Sequence, residues 1–258
     1  MDFYLYFLII LAGFFAGFIN ILAGSGSLLT LPLLIFAGLP ANVANGTNRI
    51  AILLQNVVGT ANFKKQHVLN TKQGIWLSIP TILGSLAGAQ IAVTLNEDLM
   101  RKTIGGLLIF MFFIILYKPE QWIKGKAGYT ESKPGIFQIL IFFLIGIYGG
   151  FIQAGVGLFL LAGLVLSVGA DLIKANALKV MIILLYTPFA LVIFMLNNQV
   201  DYKLGLILAI GSMIGAFAGT KVAVSWGPKF VRIVLLVVIS VSALELIGAF
   251  DFLKELLP

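Results

Sequence analysis

Residues 14–55 read FFAGFINILAGSGSLLTLPLLIFAGLPANVANGTNRIAILLQ. An apolar helical pattern is interrupted by Gly24-Ser25-Gly26-Ser27, resumes as a short apolar run, and stops at Gly38-Leu39-Pro40. It re-enters through the polar run Asn45-Gly46-Thr47-Asn48-Arg49. Packing alone gives no reason for a broken apolar helix followed by polar residues ending in one Arg. The stretch predicts half of a solute site inside a membrane.

Composition supports the membrane. Hydrophobic residues make up 60% of the 258 and charged residues 10%, where a soluble domain has about 25% charged. Phe3 to Asn48 and Pro134 to Ala170 carry no charged side chain. Such runs far exceed the roughly 20 apolar residues that span a bilayer. The net charge of +7 comes from Lys and Arg between apolar runs, as expected of cytoplasmic loops, and nucleic acid is not an expected partner. There is no cysteine, so disulfides and thiolate-ligated metals are excluded. The start, Met1-Asp2-Phe3, has neither a basic n-region nor a cleavage site, so the first apolar run is expected to stay as a helix.

Apolar segments fall at roughly 3–23, 26–38, 42–63, 74–95, 99–117, 135–156, 158–169, 173–196, 204–224 and 230–250. The order repeats. Gly13–Gly17 answers Gly146–Gly150, Gly24 answers Gly157, Ala44-Asn45 answers Ala175-Asn176, and Gly84–Gly88 answers Gly215–Gly219. Small-xxx-small pairs in matched positions predict a duplicated helix bundle. The expected fold is therefore an all-α integral membrane protein of about 8–10 segments. It has two homologous repeats, 1–117 and 135–258, joined by a cytoplasmic linker, 118–134. Each repeat has four long helices and one short or broken segment. If the short segments 26–38 and 158–169 cross, the repeats are inverted and most of the 17 basic residues share the face opposite the termini. If they are re-entrant, the basic residues divide almost evenly. The orientation rule favours the inverted arrangement. The GxxxG faces suit contacts within a chain and between chains alike, so a homodimer is compatible with them.

Backbone broken at membrane depth must be buried in protein or line a wet cavity. A helix that starts after such a break points N–H groups and the positive end of its dipole at the gap, which binds anions. Paired breaks in the two halves of a transporter mark the solute site. The pair here is Gly24, Ser25, Gly26 and Ser27 in the first half and Gly155-Val156-Gly157 in the second. Arg49 and Lys179 lie about eight residues into their segments, roughly 12 Å along a helix. Cations at that depth are costly and usually functional, unless they snorkel to the headgroups. With Asn45, Thr47, Asn48 and Asn176 they would form a positive pocket for a small anion, with Arg49 making a bidentate oxyanion contact. Asn20 and Gln153 stand at equivalent places before the two breaks, either capping them or touching solute. Gln55 and Asn56 line the same cavity or bond a neighbouring helix. Glu245 is a candidate proton-coupling group or an interfacial residue. The Asn45-Gly46-Thr47 sequon reads as pocket. His67 is the only histidine, so no metal, cofactor or catalytic dyad is expected, and an enzyme is not.

These residues resemble a known family. AGSGSLLTLPLLIFAGLPANVANGTNRIAILLQN, residues 23–56, is similar to the first-repeat signature of the TauE/SafE (sulfite exporter, DUF81) membrane transporters. The likeness extends over nearly the whole chain, including GxxxGxxxxGxG from Gly146 to Gly157 and KxG at Lys203–Gly205. It departs from the common Gly-Gly-Gly form at Ser25 and Ser27, whose hydroxyls would be extra donors. The resemblance implies a multi-pass inner-membrane permease for sulfite, organosulfonates or related anions, with the Gly-rich breaks and the ANGTN run carrying the site. The expected function is secondary transport of such an anion by alternating access. The alternatives are a transporter of another small anion such as a carboxylate, or a channel-like or structural membrane subunit.

Overall fold

The computed structural model describes residues 3–104, 106 and 134–226. Within them the chain is helical and has no strand. The first part holds α1 (Phe3–Ala23), α2 (Ser27–Phe36), α3 (Ala41–Lys65) and α4 (Thr71–Thr94). A further helical run begins at 97. The second part holds α5 (Ile136–Phe151), α6 (Val156–Gly163) with a π turn at Leu164–Val168, α7 (Leu172–Leu196) and α8 (Tyr202–Ser225). The linker 118–133, the expected segment 230–250 and Glu245 lie outside the described residues, as does most of 99–117.

Local chemistry sets the ends. Asn70 accepts the Gln73 N–H at 3.0 Å and opens α4. Asp171 accepts from the Ile173 and Lys174 N–H groups at 3.1 and 3.0 Å and opens α7. Asp201 accepts from Leu204 N–H at 2.9 Å and opens α8. These are N-caps, each satisfying an otherwise orphaned donor. Pro40 stands immediately before α3, where its lack of an N–H is harmless.

Among the described residues, four helices are long and apolar enough to cross a bilayer: Tyr6–Ala23, Thr71–Thr94, Leu172–Leu196 and Tyr202–Ser225. Their outer faces are apolar at helical spacing. Phe7, Leu11 and Phe15 are exposed on α1, Ile75, Ile79 and Leu83 on α4, and Leu206, Ile210 and Ile214 on α8. Water would be a poor solvent for such continuous stripes; lipid is a good one.

Helices α3 and α7 occupy the middle and pack on each other. Helix α8 packs on α1 and α3, and α4 packs on α5 and α7. The glycines that paired in the sequence are where these helices meet. Gly84 and Gly88 of α4 lie against the backbone of Phe143 and Ile147 of α5, and Gly146 and Gly150 of α5 against Thr81 and Ser85 of α4, so closely that a Cβ at Gly88 would overlap the Ile147 carbonyl. In the same manner Gly13 and Gly17 of α1 lie against the backbone of Leu208 and Ser212 of α8, and Gly211 and Gly215 of α8 against Ile10 and Phe14 of α1. Small residues let the backbones touch, the usual basis of helix association in lipid.

The second break falls earlier than the expected 135–156 segment allows. Helix α5 stops at Phe151, the chain is extended at Ile152, and Gly155 turns it with φ +71. Val156 and Gly157 already belong to α6. Helix α2 has 10 residues, about 15 Å of rise, and α6 has 8. Neither helix alone matches a hydrocarbon core of about 30 Å.

Candidate functional site

The last carbonyls of an α-helix have no intrahelical donor and carry the negative end of its dipole. Helices α1 and α5 both end inside the protein, so each needs donors there. At the end of α1, the Lys179 ammonium donates to the carbonyls of Asn20 at 2.9 Å and Ile21 at 2.8 Å, and to Asn176 Oδ1 at 2.7 Å. The Asn176 amide reaches the Leu22 carbonyl at 3.4 Å. Asn20 Oδ1 accepts the Gly26 N–H at 2.9 Å, so Asn20 bridges the break from α1 to the start of α2. An ammonium has three hydrogens, and all three are engaged.

At the end of α5, Arg49 plays the matching part. Its Nη1 donates to the Gly149 carbonyl at 3.1 Å and to Gln153 Oε1 at 3.2 Å. Its Nη2 donates to the carbonyls of Gly150 at 2.6 Å and Phe151 at 3.4 Å. Asn45, one turn earlier on α3, donates to the same Phe151 carbonyl at 2.8 Å. Gln153 in turn donates to Thr187 Oγ1 at 3.2 Å. The guanidinium carbon lies 4.5 Å from the centroid of the Phe194 ring, a cation–π distance. Each cation thus rises from the central helix of one part of the chain to close the broken helix of the other.

Both cations are fully buried, at 0% exposure. Neither snorkels. Lys179 does not reach toward Asp171, whose ion-pair partner is Lys174 at 3.6 Å. Among the described residues, no carboxylate pairs with Arg49 or Lys179. The ion pairs among the described residues, Arg101–Glu97, Lys102–Asp98 and Lys174–Asp171, are exposed.

The two breaks meet. Gly24, at φ +75, and Gly157 are in backbone contact, each filling the space where the other would carry a Cβ. Around them and around Arg49 lie buried polar atoms without a partner: Ser25 Oγ, Asn45 Oδ1, Asn48 Nδ2, Arg49 Nε and Tyr186 OH. Asn48 Oδ1 is taken by the Thr30 hydroxyl at 2.7 Å. Thr47 Oγ1 accepts the Asp201 N–H at 2.8 Å, joining α3 to the start of α8. Ser27 is buried in the first turn of α2. Asn56 bonds to Ile52 of its own helix at 2.7 Å, and Gln55 is buried beside it.

The bidentate anion contact expected of Arg49 is not available in this state. Four of its five N–H groups already serve carbonyl and amide oxygens, which leaves Nε–H. Tyr186, Thr187, Thr30 and Phe194 complete the surroundings and were not singled out from the sequence. Tyr186-Thr187-Pro188 does interrupt an apolar run, and that interruption was the available signal. No cluster of three metal-ligating side chains occurs among the described residues. An apolar groove of about 470 Å³ between α5 and α6 is lined by Phe137, Ile141, Leu144, Phe159 and Ser167, and the Ser167 hydroxyl already donates to the Gly163 carbonyl at 2.6 Å.

The sulfite exporter TauE/SafE family matches residues 9–246. The chain is 27% identical over 248 residues to probable membrane transporter protein ORF9 of Sinorhizobium sp, covering 96% of this chain and 94% of that one. It is 28% identical to probable membrane transporter protein YfcA of Escherichia coli (strain K12), covering 90% and 86%. It is 27% identical to probable membrane transporter protein YjnA of Bacillus subtilis (strain 168), covering 93% and 98%. No solved structure matches. With the family matched over nearly its whole length, and with helices suited to crossing a bilayer, the chain belongs to the sulfite exporter TauE/SafE family of multi-pass membrane transporters.

Proposed function

We propose that the protein is a secondary transporter of a small sulfur-containing oxyanion or sulfonate, such as sulfite, held beside Arg49 where the two broken helices meet. One observation carries this reading: two buried cations, without a carboxylate partner among the described residues, stand next to orphaned donors. An unpaired buried charge is costly. The two helix ends offset about half an elementary charge each, and a small anion would supply the remainder. The orphaned donors are Arg49 Nε–H and the Asn48 amide, with the hydroxyls of Ser25 and Tyr186. Arg49 and Asn48 are on α3 and Ser25 lies in the first break, while Tyr186 reaches in from α7. Lys179 has no N–H left for a solute, so Arg49 and Asn48 of the first half would hold most of it.

The two halves would act as inverted repeats rocking about the Gly24–Gly157 contact, giving alternating access. The reciprocal packing of α1 on α8 and α4 on α5 and the reciprocal capping by Lys179 and Arg49 support that arrangement. Purified protein in proteoliposomes tests it. Sulfite uptake should saturate, and sulfonates should compete. Flux that rises linearly with concentration would indicate a pore, and saturable uptake of a carboxylate instead of sulfite would replace the solute. The purified protein should also melt at a higher temperature with the transported anion than with chloride, since a ligand of the folded state stabilises it.

A further inference from the structure

Transporters with broken helices commonly seat a coupling sodium ion on the unwound carbonyls and helix C-terminal ends beside the solute. The end of α1 has the oxygens for such a seat: the carbonyls of Asn20 and Ile21 and the Oδ1 of Asn176, all within 2.9 Å of one point. That point is the Lys179 nitrogen. The Asn176 amide is oriented by its own bond to the Leu22 carbonyl, so its oxygen is turned to the cradle by construction. At the other break the oxygens of Gly149, Gly150, Phe151 and Gln153 all face the Arg49 guanidinium.

From this geometry we infer that Lys179 is a resident cation standing where a coupling sodium ion would sit, so that the anion crosses without sodium. The inference rests on the anion-transport reading above. It also gives Lys179 a positioning role. With three donors held by three acceptors and no exposure, it holds the α1 end and supplies positive charge to the site without itself touching the solute. Arg49, which keeps one N–H unpaired, is the cation that contacts the anion.

The test has two arms. In the first, sulfite uptake by wild-type proteoliposomes is measured with sodium replaced by N-methylglucamine. Uptake is expected to change less than about twofold. A saturable sodium requirement, with uptake falling about tenfold or more on replacement, as an empty cation seat would produce, overturns the inference. In the second, Lys179→Ala empties the cradle. Its melting temperature is expected to lie below wild type and to rise with millimolar sodium or methylammonium, while wild type shows no such rise, because a ligand of the vacated site stabilises the folded form. Uptake by the variant is expected to become dependent on the added cation. A variant as stable and as active as wild type without added cation overturns the inference, and so does one that no small cation stabilises. If Lys179→Ala does not fold, the sodium-replacement arm decides alone. If wild type moves no anion under any condition, the transport reading fails while the melting arm still reads the cradle.

Discussion

Gly24 and Gly157 touch backbone to backbone, and neither has room for a single carbon more. One belongs to the first break and the other to the first turn of α6 after the second. Their contact is what brings two interruptions, far apart in the chain, to one place in the fold.

Gly24→Ala should therefore be costly twice over. At φ +75 an L side chain is strained by about 1–2 kcal/mol, and overlap with Gly157 adds about 1–3 kcal/mol. Gly38→Ala is the comparison. Its φ is +97 but nothing lies within 4 Å of the added carbon, so only the backbone cost of about 1–2 kcal/mol applies. Thermal unfolding of the two variants in detergent should separate them. Equal losses would mean that the two breaks are not held in contact.

Arg49→Ala removes the donors of the buried Gly149 and Gly150 carbonyls and of Gln153 Oε1, while Asn45 still serves the Phe151 carbonyl. Each unsatisfied group costs about 1–3 kcal/mol, so the variant should be visibly destabilised as well as inactive. Arg49→Lys is more informative, because it keeps the charge but has three donors where Arg has five. It is expected to insert and fold, with sulfite uptake lowered by about tenfold or more, the equivalent of about 1.4 kcal/mol. Uptake by Arg49→Lys at the wild-type rate would show that the guanidinium fork is dispensable.

Asn48→Asp replaces an orphaned donor with an acceptor and leaves an oxygen for the Thr30 hydroxyl. A second negative charge near the solute repels it, and about 1.4 kcal/mol of repulsion raises the half-saturating concentration about tenfold. The comparison is concentration dependence of uptake in wild type and variant. An unchanged half-saturating concentration would place the anion away from Asn48.

Thr47→Val should behave in the opposite way. The hydroxyl oxygen accepts the Asp201 N–H, a bond that ties α3 to the start of α8. Its loss should lower stability by about 1 kcal/mol and leave the half-saturating concentration of sulfite close to wild type. A large change in that concentration with unchanged melting would show that Thr47 contacts the solute.

Much of this was legible in the sequence. Charge-free runs longer than a bilayer is thick admit little except helices in lipid, because backbone groups must then be satisfied locally. Gly24 ends α1 and Gly155 opens α6, each in a left-handed turn that glycine adopts cheaply. Gly84, Gly88, Gly146 and Gly150 announced close helix contacts by their spacing. The end of α5 was misplaced at 156 because Ile152 and its neighbours are apolar, and apolarity does not say where the helical hydrogen bonds stop. They stop at Phe151 because Asn45 and Arg49 take the carbonyls there.

The sequence by itself determined that the protein is helical and membrane-embedded, that its apolar segments are broken at two places, and that Arg49 and Lys179 fall within such segments. Only the tertiary structure decided what those cations do. Arg49 reaches a carbonyl 100 residues away and Lys179 one 158 residues away, so no local pattern records either bond. A cation inside a membrane must find oxygen atoms somewhere. Which oxygens, and how many of its N–H groups remain for a solute, follow from how helices distant in sequence pack.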